Sequence, residues 1–317
     1  MKRKILMLTT ALLFILCRLN AQTPDTVKAK AIYSFRHTQD TTQRSQQFEE
    51  QMVLLLGRNA SAYLSMERIL RDEKIKKELE EQIKNAEPGK MAFNINRSSA
   101  KKLNTAELYQ FANEKKLITK MRLVNNYLIE EQLMPIDWKI SNETKVIKGL
   151  NCQQATAHFK GRDYTAWFCP DLPFQSGPWK LNGLPGLIIE AYDINKEVIF
   201  NFESFEEVKN KAPEKELPPQ VINGQVFRLS GLGSADLLKA QTISLPKDAI
   251  KTTQKEFDKL QEAMRKDPSG FITSSMAGSG VTLGKMVGAP NTSTKIVAAP
   301  GSIKTIINNP LELPEKK

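Results

Sequence analysis

The chain has 317 residues, a formal net charge of +11 and hydrophobic residues at 40% of its positions. This length is enough for one large domain or two small ones. Basic and acidic residues are interleaved along the chain instead of forming a basic stripe, which argues against a nucleic-acid-binding protein.

The first 21 residues have the pattern of a secretory signal peptide. Basic residues precede an apolar run at 5–17, and the small residue Ala21 ends the segment. The run is too short for a membrane span, and a signal anchor is the alternative. We expect cleavage after Ala21, a mature chain of residues 22–317 without a transmembrane segment, and export to the periplasm, the cell envelope or the extracellular space.

Two strands and a helix are predicted next. Residues 28–35 alternate as a strand does, and residues 51–57 have the apolar pattern of a buried strand. Apolar residues at helical spacing, with ion pairs four residues apart, then predict an amphipathic helix that ends at Pro88-Gly89. Its charged side is the solvated face of the helix.

From about residue 90 to 210 the sequence predicts a series of short strands. The segments are 91–96, 120–131, 137–141, 144–150, 152–159, 163–169, 187–193 and 198–208. Strands joined by short turns pair antiparallel. The predicted fold class is therefore α+β, a mainly antiparallel β meander with a few peripheral helices, in a single domain of residues 22–317 whose core is 131–206.

A helix and a flexible insert are predicted towards the C-terminus. Residues 251–268 form an amphipathic pattern that Pro268 closes. The Gly/Ser/Thr-rich sequence of about 268–300 then predicts a mobile insert. Its AGSGVTLGK segment is close to a phosphate-binding loop, but the spacing does not match.

The motifs assign no catalytic residue, metal ligand or cofactor. His37 and His158 are far apart and lack neighbouring ligand residues, and no zinc or nucleophile motif is present. Carboxylates are abundant without a distinctive pair. A two-carboxylate hydrolase therefore stays open as an alternative.

Cys152 and Cys169 are the two cysteines of the expected mature chain. An even number in an exported protein makes a disulfide one alternative. HFKGRDY predicts a hairpin tip around Gly161, and we expect a two- or four-residue loop to place the cysteines on one face at diagonal positions. A three-residue loop would place them on opposite faces, so the pairing stays open.

Tryptophans are concentrated in the strand-rich block. They are Trp138, Trp167 and Trp179. Aromatic side chains on a sheet can form a platform for a sugar or a peptide, and packing in a core is the alternative.

The hexapeptide GLPGLI comprises Gly183, Leu184, Pro185, Gly186, Leu187 and Ile188. Its segment from Leu184 to Leu187 matches a type II turn, with proline second and glycine third. No side chain in the motif can transfer a proton or bind a metal. We therefore interpret it as a structural motif that leads into a central strand.

This region resembles the GLPGLI family, secreted Bacteroidota proteins of unknown function. The resemblance also includes Trp138, residues 143–168, GPWK at 177–180 and NPLELPE at 309–315. It implies a bowl-like or strongly curved sheet, because the family's block resembles the bowl-like N-terminal domain of some secreted glycan-processing enzymes. The family supplies no catalytic residue, and Cys169 departs from its pattern.

The sequence thus favours a non-enzymatic envelope protein that binds an unknown envelope protein, peptide or glycan, and no nucleic acid. The alternatives are a carboxylate-dependent hydrolase of glycans or peptides and a structural component of the cell surface.

Overall fold

The structure is a computed structural model, and it describes residues 24–84, 94–95, 103–208, 220–222, 225–227, 238, 241–246, 249–278, 295–296 and 307–315. The predicted signal peptide and most of the predicted flexible insert lie outside these residues.

Strands dominate the described part of the chain, which confirms the α+β, mainly β class. The first eight are β1 (Asp25–Thr26), β2 (Ala29–His37), β3 (Phe48–Leu56), β4 (Ala60–Ser65), β5 (Asn94–Ile95), β6 (Glu107–Phe111), β7 (Lys116–Arg122) and β8 (Asn126–Gln132). The next five are β9 (Lys139–Ile147), β10 (Leu150–Phe159), β11 (Arg162–Cys169), β12 (Leu187–Asp193) and β13 (Val198–Glu207). Five short strands follow: β14 (Gln220–Ile222), β15 (Gln225–Phe227), β16 (Thr242–Ile243), β17 (Ile250–Thr252) and β18 (Lys295–Ile296). The helices are α1 (Met66–Lys84), α2 (Gln254–Lys266) and α3 (Pro268–Gly278).

Twelve strands form one mixed sheet in the order β17-β8-β7-β6-β4-β3-β2-β13-β12-β11-β10-β9. Neighbouring strands are antiparallel, except that β17 runs parallel to β8. Apart from β17, the sheet consists of two meanders, β2-β3-β4-β6-β7-β8 and β9-β10-β11-β12-β13. They are joined in the centre by the pairing of β2 with β13. The predicted antiparallel meander is therefore present twice.

The connection between the two meanders shows that the sheet is strongly curved. Strands β8 and β9 are ten strand spacings apart in the sheet, which is about 48 Å if the sheet were flat. The chain covers the path from Gln132 to Lys139 in seven steps, which span at most about 25 Å. The sheet must therefore curl until its two ends approach each other.

Each face of the curled sheet carries its own apolar core. The larger core occupies the concave face and includes residues of both meanders, such as Tyr63 of β4 and Phe200 of β13, whose ring centroids are 6.5 Å apart. On the other face, Ile69 of α1 packs with Val53 and Leu64 of the sheet. On the same face as the larger core, Phe257 of α2 packs against Tyr127 of β8, with ring centroids 5.6 Å apart.

Three expectations about elements are wrong. The segments 137–141 and 144–150, predicted as separate strands, form the single strand β9 (Lys139–Ile147). Residues 120–131 form two strands, because the chain turns at 123–125, where Leu123 N–H donates to Asn125 O (3.2 Å). The amphipathic helix ends directly before Pro268, as predicted, with Asp267 as its C-cap. The predicted flexible insert is wrong at its start, because Pro268 is the first residue of a second helix, α3, where its missing N–H leaves no bond unmade. The first eleven residues of the predicted flexible insert are thus helical.

Candidate binding site

Residues 170–186, here called the plug segment, fill the concave face of the sheet. The segment leaves β11 after Cys169 and returns at Leu187, which pairs with Cys169. At its base Leu172 N–H donates to Cys169 O (3.2 Å), and Leu187 N–H donates to Leu172 O (2.9 Å). Its members of the concave core are Leu172, Phe174, Trp179, Leu181 and Leu184.

The GLPGLI hexapeptide ends the plug segment, but its turn is not the predicted type II turn. Gly186 N–H donates to Leu184 O (2.8 Å), two residues back, which makes a γ-turn centred on the proline. Leu187, which would close a type II turn on Leu184, donates to Leu172 instead. Gly186 has a nearly extended φ of 159°. Glycine is required for space, because a Cβ here would lie 2.2 Å from Cys169 O.

The predicted tryptophan platform is wrong at two of its three positions, because the side chains there are buried. Trp167 and Trp179 are only 6% and 5% exposed. The ring of Trp179 stacks on Phe200, with centroids 6.4 Å apart. Trp138 is half-buried, and its Nε1–H donates to Asn182 O (2.8 Å), so it fixes the plug segment to the β8–β9 link. Trp179 therefore fills the concave core, whereas Trp167, on the opposite face of β11, packs under Lys145, whose Nζ lies 4.3 Å from the ring centroid.

A pocket of about 210 Å³ opens between the two ends of the curled sheet, and we call it the seam pocket. Its apolar wall consists of Leu117, Leu133, Met134 and Phe159. Its polar wall consists of Glu131, Gln132, Lys160 and Lys180. The pocket therefore combines side chains from both meanders, the β8–β9 link and the plug segment.

Lysines and carboxylates face each other at the seam pocket. Lys180 Nζ lies 2.9 Å from Glu131 Oε2 and 2.7 Å from Glu312 Oε1, and Lys160 Nζ lies 3.2 Å from Glu312 Oε2. Burial opposes the charge of Lys180, but hydrogen bonds to Glu312 and Glu131 outweigh burial and raise its pKa. Burial likewise opposes the charge of Glu312, but the hydrogen bonds and charges of Lys180 and Lys160 together outweigh burial and lower the pKa of Glu312. Lys180 and Glu312 therefore stay ionised at neutral pH.

Backbone conformation directs Lys180 to the pocket. The preceding residue, Trp179, has a φ of +55°, which a bulky residue rarely adopts. This turn places the Trp179 ring in the core while Lys180 points to the seam. Gln110 of β6 supports the turn by donating its Nε2–H to Trp179 O (3.0 Å).

Residues 307–315, here called the C-terminal strap, lie along the turn between β10 and β11. Arg162 is buried and binds the strap with its guanidinium, donating to Asn309 Oδ1 (2.6 Å) and to two strap carbonyl oxygens (2.7 and 3.0 Å). The same guanidinium donates to Asp193 Oδ2 (2.7 Å). These bonds place Glu312 of the strap at the seam pocket.

An exposed histidine also contacts the strap. His158 Nδ1 lies 2.6 Å from Asp163 Oδ1, and His158 Nε2 lies 2.8 Å from Glu315 Oε2. Hydrogen bonds to Asp163 and then Glu315 raise the pKa of His158. His37 is buried among the strand ends, and burial followed by the charge of Arg162 lowers its pKa.

We expect the two histidines to titrate on opposite sides of the ordinary value of 6.5. Because the folded-state pKa of His158 is raised, its bond to the strap is fully formed below its unfolded pKa and is lost as pH rises through the folded pKa. NMR titration of both imidazoles should show this order. In Glu315→Gln the pKa of His158 should fall while that of His37 stays unchanged, and an unaltered His158 titration would contradict the pairing.

A second buried polar cluster lies beneath α1. Glu107 Oε2 accepts hydrogen bonds from Lys120 Nζ (2.7 Å) and from the Tyr109 hydroxyl (2.9 Å). Arg68 of α1 lies 3.9 Å from both Glu107 and Asp72. Burial raises the pKa of Asp72, against the opposing charge of Arg68. Both carboxyl groups thus contact cations that attach α1 to the sheet.

Cys152 and Cys169 are buried and carry free thiols. Their expected diagonal placement is wrong. The hairpin has a two-residue loop flanked by the pair Phe159↔Arg162, and the register continues unbroken to Gln153↔Phe168. One more step brings Cys152 directly opposite Cys169.

Among the described residues, no three His, Cys, Asp or Glu side chains converge as a metal-binding group. Within the same ranges, no helix has both the length and the apolar character needed to cross a membrane.

The sequence interpretation missed the residues of the seam pocket and the strap, although two motifs contained a signal. Lys180 belongs to the GPWK motif, and Glu312 belongs to NPLELPE. In the sequence both motifs contribute only to the family resemblance. Their contact with each other depends on the fold, because 132 positions separate the two residues in the chain.

Comparison with known families identifies the segment that carries the hairpin and the hexapeptide. The model of a "Protein of unknown function (Porph_ging)" matches residues 159–190. This family has a different name from the GLPGLI family, so the expected resemblance is confirmed only in part. The match supports the presence of an uncharacterised family domain in this chain.

Two solved structures of PNGF-II are similar to the chain. The crystal in space group P21 gives 13% identity and a TM-score of 0.39, covering 59% of this chain and 29% of the PNGF-II chain. The crystal in space group C2 gives 12% identity and a TM-score of 0.44, covering 74% of this chain and 32% of the PNGF-II chain. This chain therefore spans about a third of the PNGF-II chains. No curated protein matches the chain.

Proposed function

We propose that the protein is an exported, non-enzymatic module that binds a partner in the cell envelope through the seam pocket. The observation that carries this proposal is a preformed pocket with an apolar wall and a polar wall that includes Glu131, Lys160 and Lys180. Both lysines also pair with Glu312. The combination of apolar contact area with a few convergent polar groups is typical of binding sites.

The size of the pocket favours a larger partner over a free small molecule. Its volume of about 210 Å³ is below the roughly 300–1,000 Å³ of pockets that enclose a small ligand. A side chain of a protein or peptide, or one terminal sugar, fits this volume. The remainder of such a partner would lie on the surface around the pocket.

That surrounding surface has features suited to an extended segment. Met134 on the pocket wall and Ile140 near the start of β9 are 50% and 48% exposed. Strand β9 follows the link that lines the pocket, and within the described residues its outer edge pairs with no strand. An extended chain added to such an edge gains main-chain hydrogen bonds, while a pocket beside the edge selects one side chain.

The hydrolase alternative has weaker support. Asp72 and Glu107 are the neighbouring buried carboxyl groups that suit it best, since burial raises the pKa of Asp72 as a general acid requires. However, Arg68 contacts both groups and Lys120 binds Glu107. These contacts favour a structural role in holding α1.

Site-specific photo-crosslinking in the native envelope tests the proposal. A photoreactive phenylalanine analogue at Met134 should yield a discrete crosslinked product, because this side chain lines the pocket. The same analogue at Ile194, which is 74% exposed in the β12–β13 turn, is the matched control and should not yield that product. The proposal fails if position 134 gives no product, or if both positions give the same products.

A further inference from the structure

The two buried cysteines lie at a position of the hairpin that suits a covalent bond. The loop residues Lys160 and Gly161 have φ values of +53° and +73°, as in a type I′ turn. In a two-residue hairpin of this type the flanking residues, Phe159 and Arg162, exchange both backbone hydrogen bonds. Hydrogen-bonded and non-hydrogen-bonded pairs then alternate along the ladder.

This alternation fixes the type of pair that the cysteines form. Counting from Phe159↔Arg162, the ladder reaches the hydrogen-bonded pair Gln153↔Phe168, so the next pair, Cys152 with Cys169, is non-hydrogen-bonded. The Cα atoms of such pairs are about 4.5 Å apart, within the range of roughly 4.4–6.8 Å found for disulfides. The two side chains point to the same face of the sheet, and both are buried.

The pair also lies at the base of the plug segment. Cys169 O accepts the N–H of Leu172 at the start of the plug segment, and Leu187 at its end pairs with Cys169. Gly186 packs against the same carbonyl oxygen. A bond from Cys152 to Cys169 would therefore tie β10 to both ends of the plug segment.

We propose that Cys152 and Cys169 are a disulfide-forming site that locks the base of the plug segment when the protein folds in an oxidising compartment. The electron acceptor is a disulfide, either of a dithiol–disulfide oxidoreductase or of oxidised glutathione. The thiolate of one cysteine attacks it and forms a mixed disulfide, releasing one acceptor thiol. The second cysteine thiolate then attacks the mixed disulfide, so that the S–S bond forms and the acceptor leaves fully reduced with two electrons.

The environment of the thiols indicates when the bond forms. Burial, together with the neighbouring Cys169, raises the pKa of Cys152 to about 11, so little thiolate is present in the folded protein at neutral pH. Both side chains are also closed off from solvent. Oxidation therefore takes place during folding, before the pair is buried.

The test uses the full chain carrying Cys17→Ser, which removes the third cysteine. The protein is refolded with a mixture of oxidised and reduced glutathione, unfolded without reductant, and treated with a thiol-alkylating reagent. We expect no alkylation and an intact mass two hydrogens below that of the reduced chain. We also expect reduction to lower the midpoint of thermal unfolding by about 5 °C or more.

The single variants Cys152→Ser and Cys169→Ser, each with Cys17→Ser, serve as matched controls and should each incorporate one alkyl group. Circular dichroism before unfolding confirms that each protein has folded. Two alkyl groups on the refolded Cys17→Ser protein would overturn the proposal. This result is separate from the crosslinking result at Met134, which tests the seam pocket alone.

Discussion

Replacing Gly186 by alanine should lower the free energy of unfolding by about 3 kcal/mol. The added Cβ would lie 2.2 Å from Cys169 O and 2.7 Å from its carbonyl carbon, which are backbone atoms at the end of a central strand. Backbone atoms cannot swing aside as a flexible side chain does. The plug segment must therefore move away from the sheet, with loss of core contacts. Urea unfolding followed by circular dichroism measures the change.

Gly183→Ala is the matched control within the same hexapeptide. Gly183 has a positive φ of +89°, but a Cβ there would contact no atom within 4 Å. Alanine at this position costs only backbone strain, about 1 kcal/mol. Equal losses for the two variants would show that close packing of Gly186 against Cys169 does not determine the requirement for glycine.

Strands and helices that show their characteristic hydrophobic pattern within a short stretch of sequence could be predicted. β12, at Leu187–Asp193, coincides with the predicted strand, because an apolar run follows a proline- and glycine-rich segment. Strands β4 and β6 were missed because every residue in them is buried, so neither shows the alternation that marks a half-exposed strand. Burial on both faces comes from α1 and from the concave core, and neither is visible in a short sequence window.

The candidate site was less predictable than the fold, because its parts are brought together by curvature. Glu131 and Lys160 lie in different meanders, and they approach only because the sheet curls. The sequence predicts a binding platform of three tryptophans, because the sequence does not distinguish an exposed aromatic ring from a buried one. Trp179 is buried because it belongs to the plug segment, whose position depends on Gly186, Leu172 and the end of β11.

Arg162→Met should lower the free energy of unfolding by about 3–5 kcal/mol. The guanidinium is buried and binds Asp193, Asn309 and two carbonyl oxygens of the C-terminal strap. Methionine keeps much of the apolar volume but leaves the buried Asp193 carboxylate without its cation. The strap should detach, because its main anchor is lost.

Thermal unfolding and amide hydrogen exchange measure the two effects separately. The Leu313 N–H, which donates to Lys160 O (3.0 Å), should lose its protection from exchange in Arg162→Met. Arg265→Met is the control, since Arg265 is exposed on α2 and pairs with Glu262 on the surface. It should leave the midpoint of thermal unfolding nearly unchanged and Leu313 protected. Retained protection of Leu313 in Arg162→Met would mean that the strap is held by other contacts, such as those of Glu312 with the two lysines of the seam pocket. The position of Glu312 would then be set by the pocket itself, and Arg162 would serve only to neutralise Asp193.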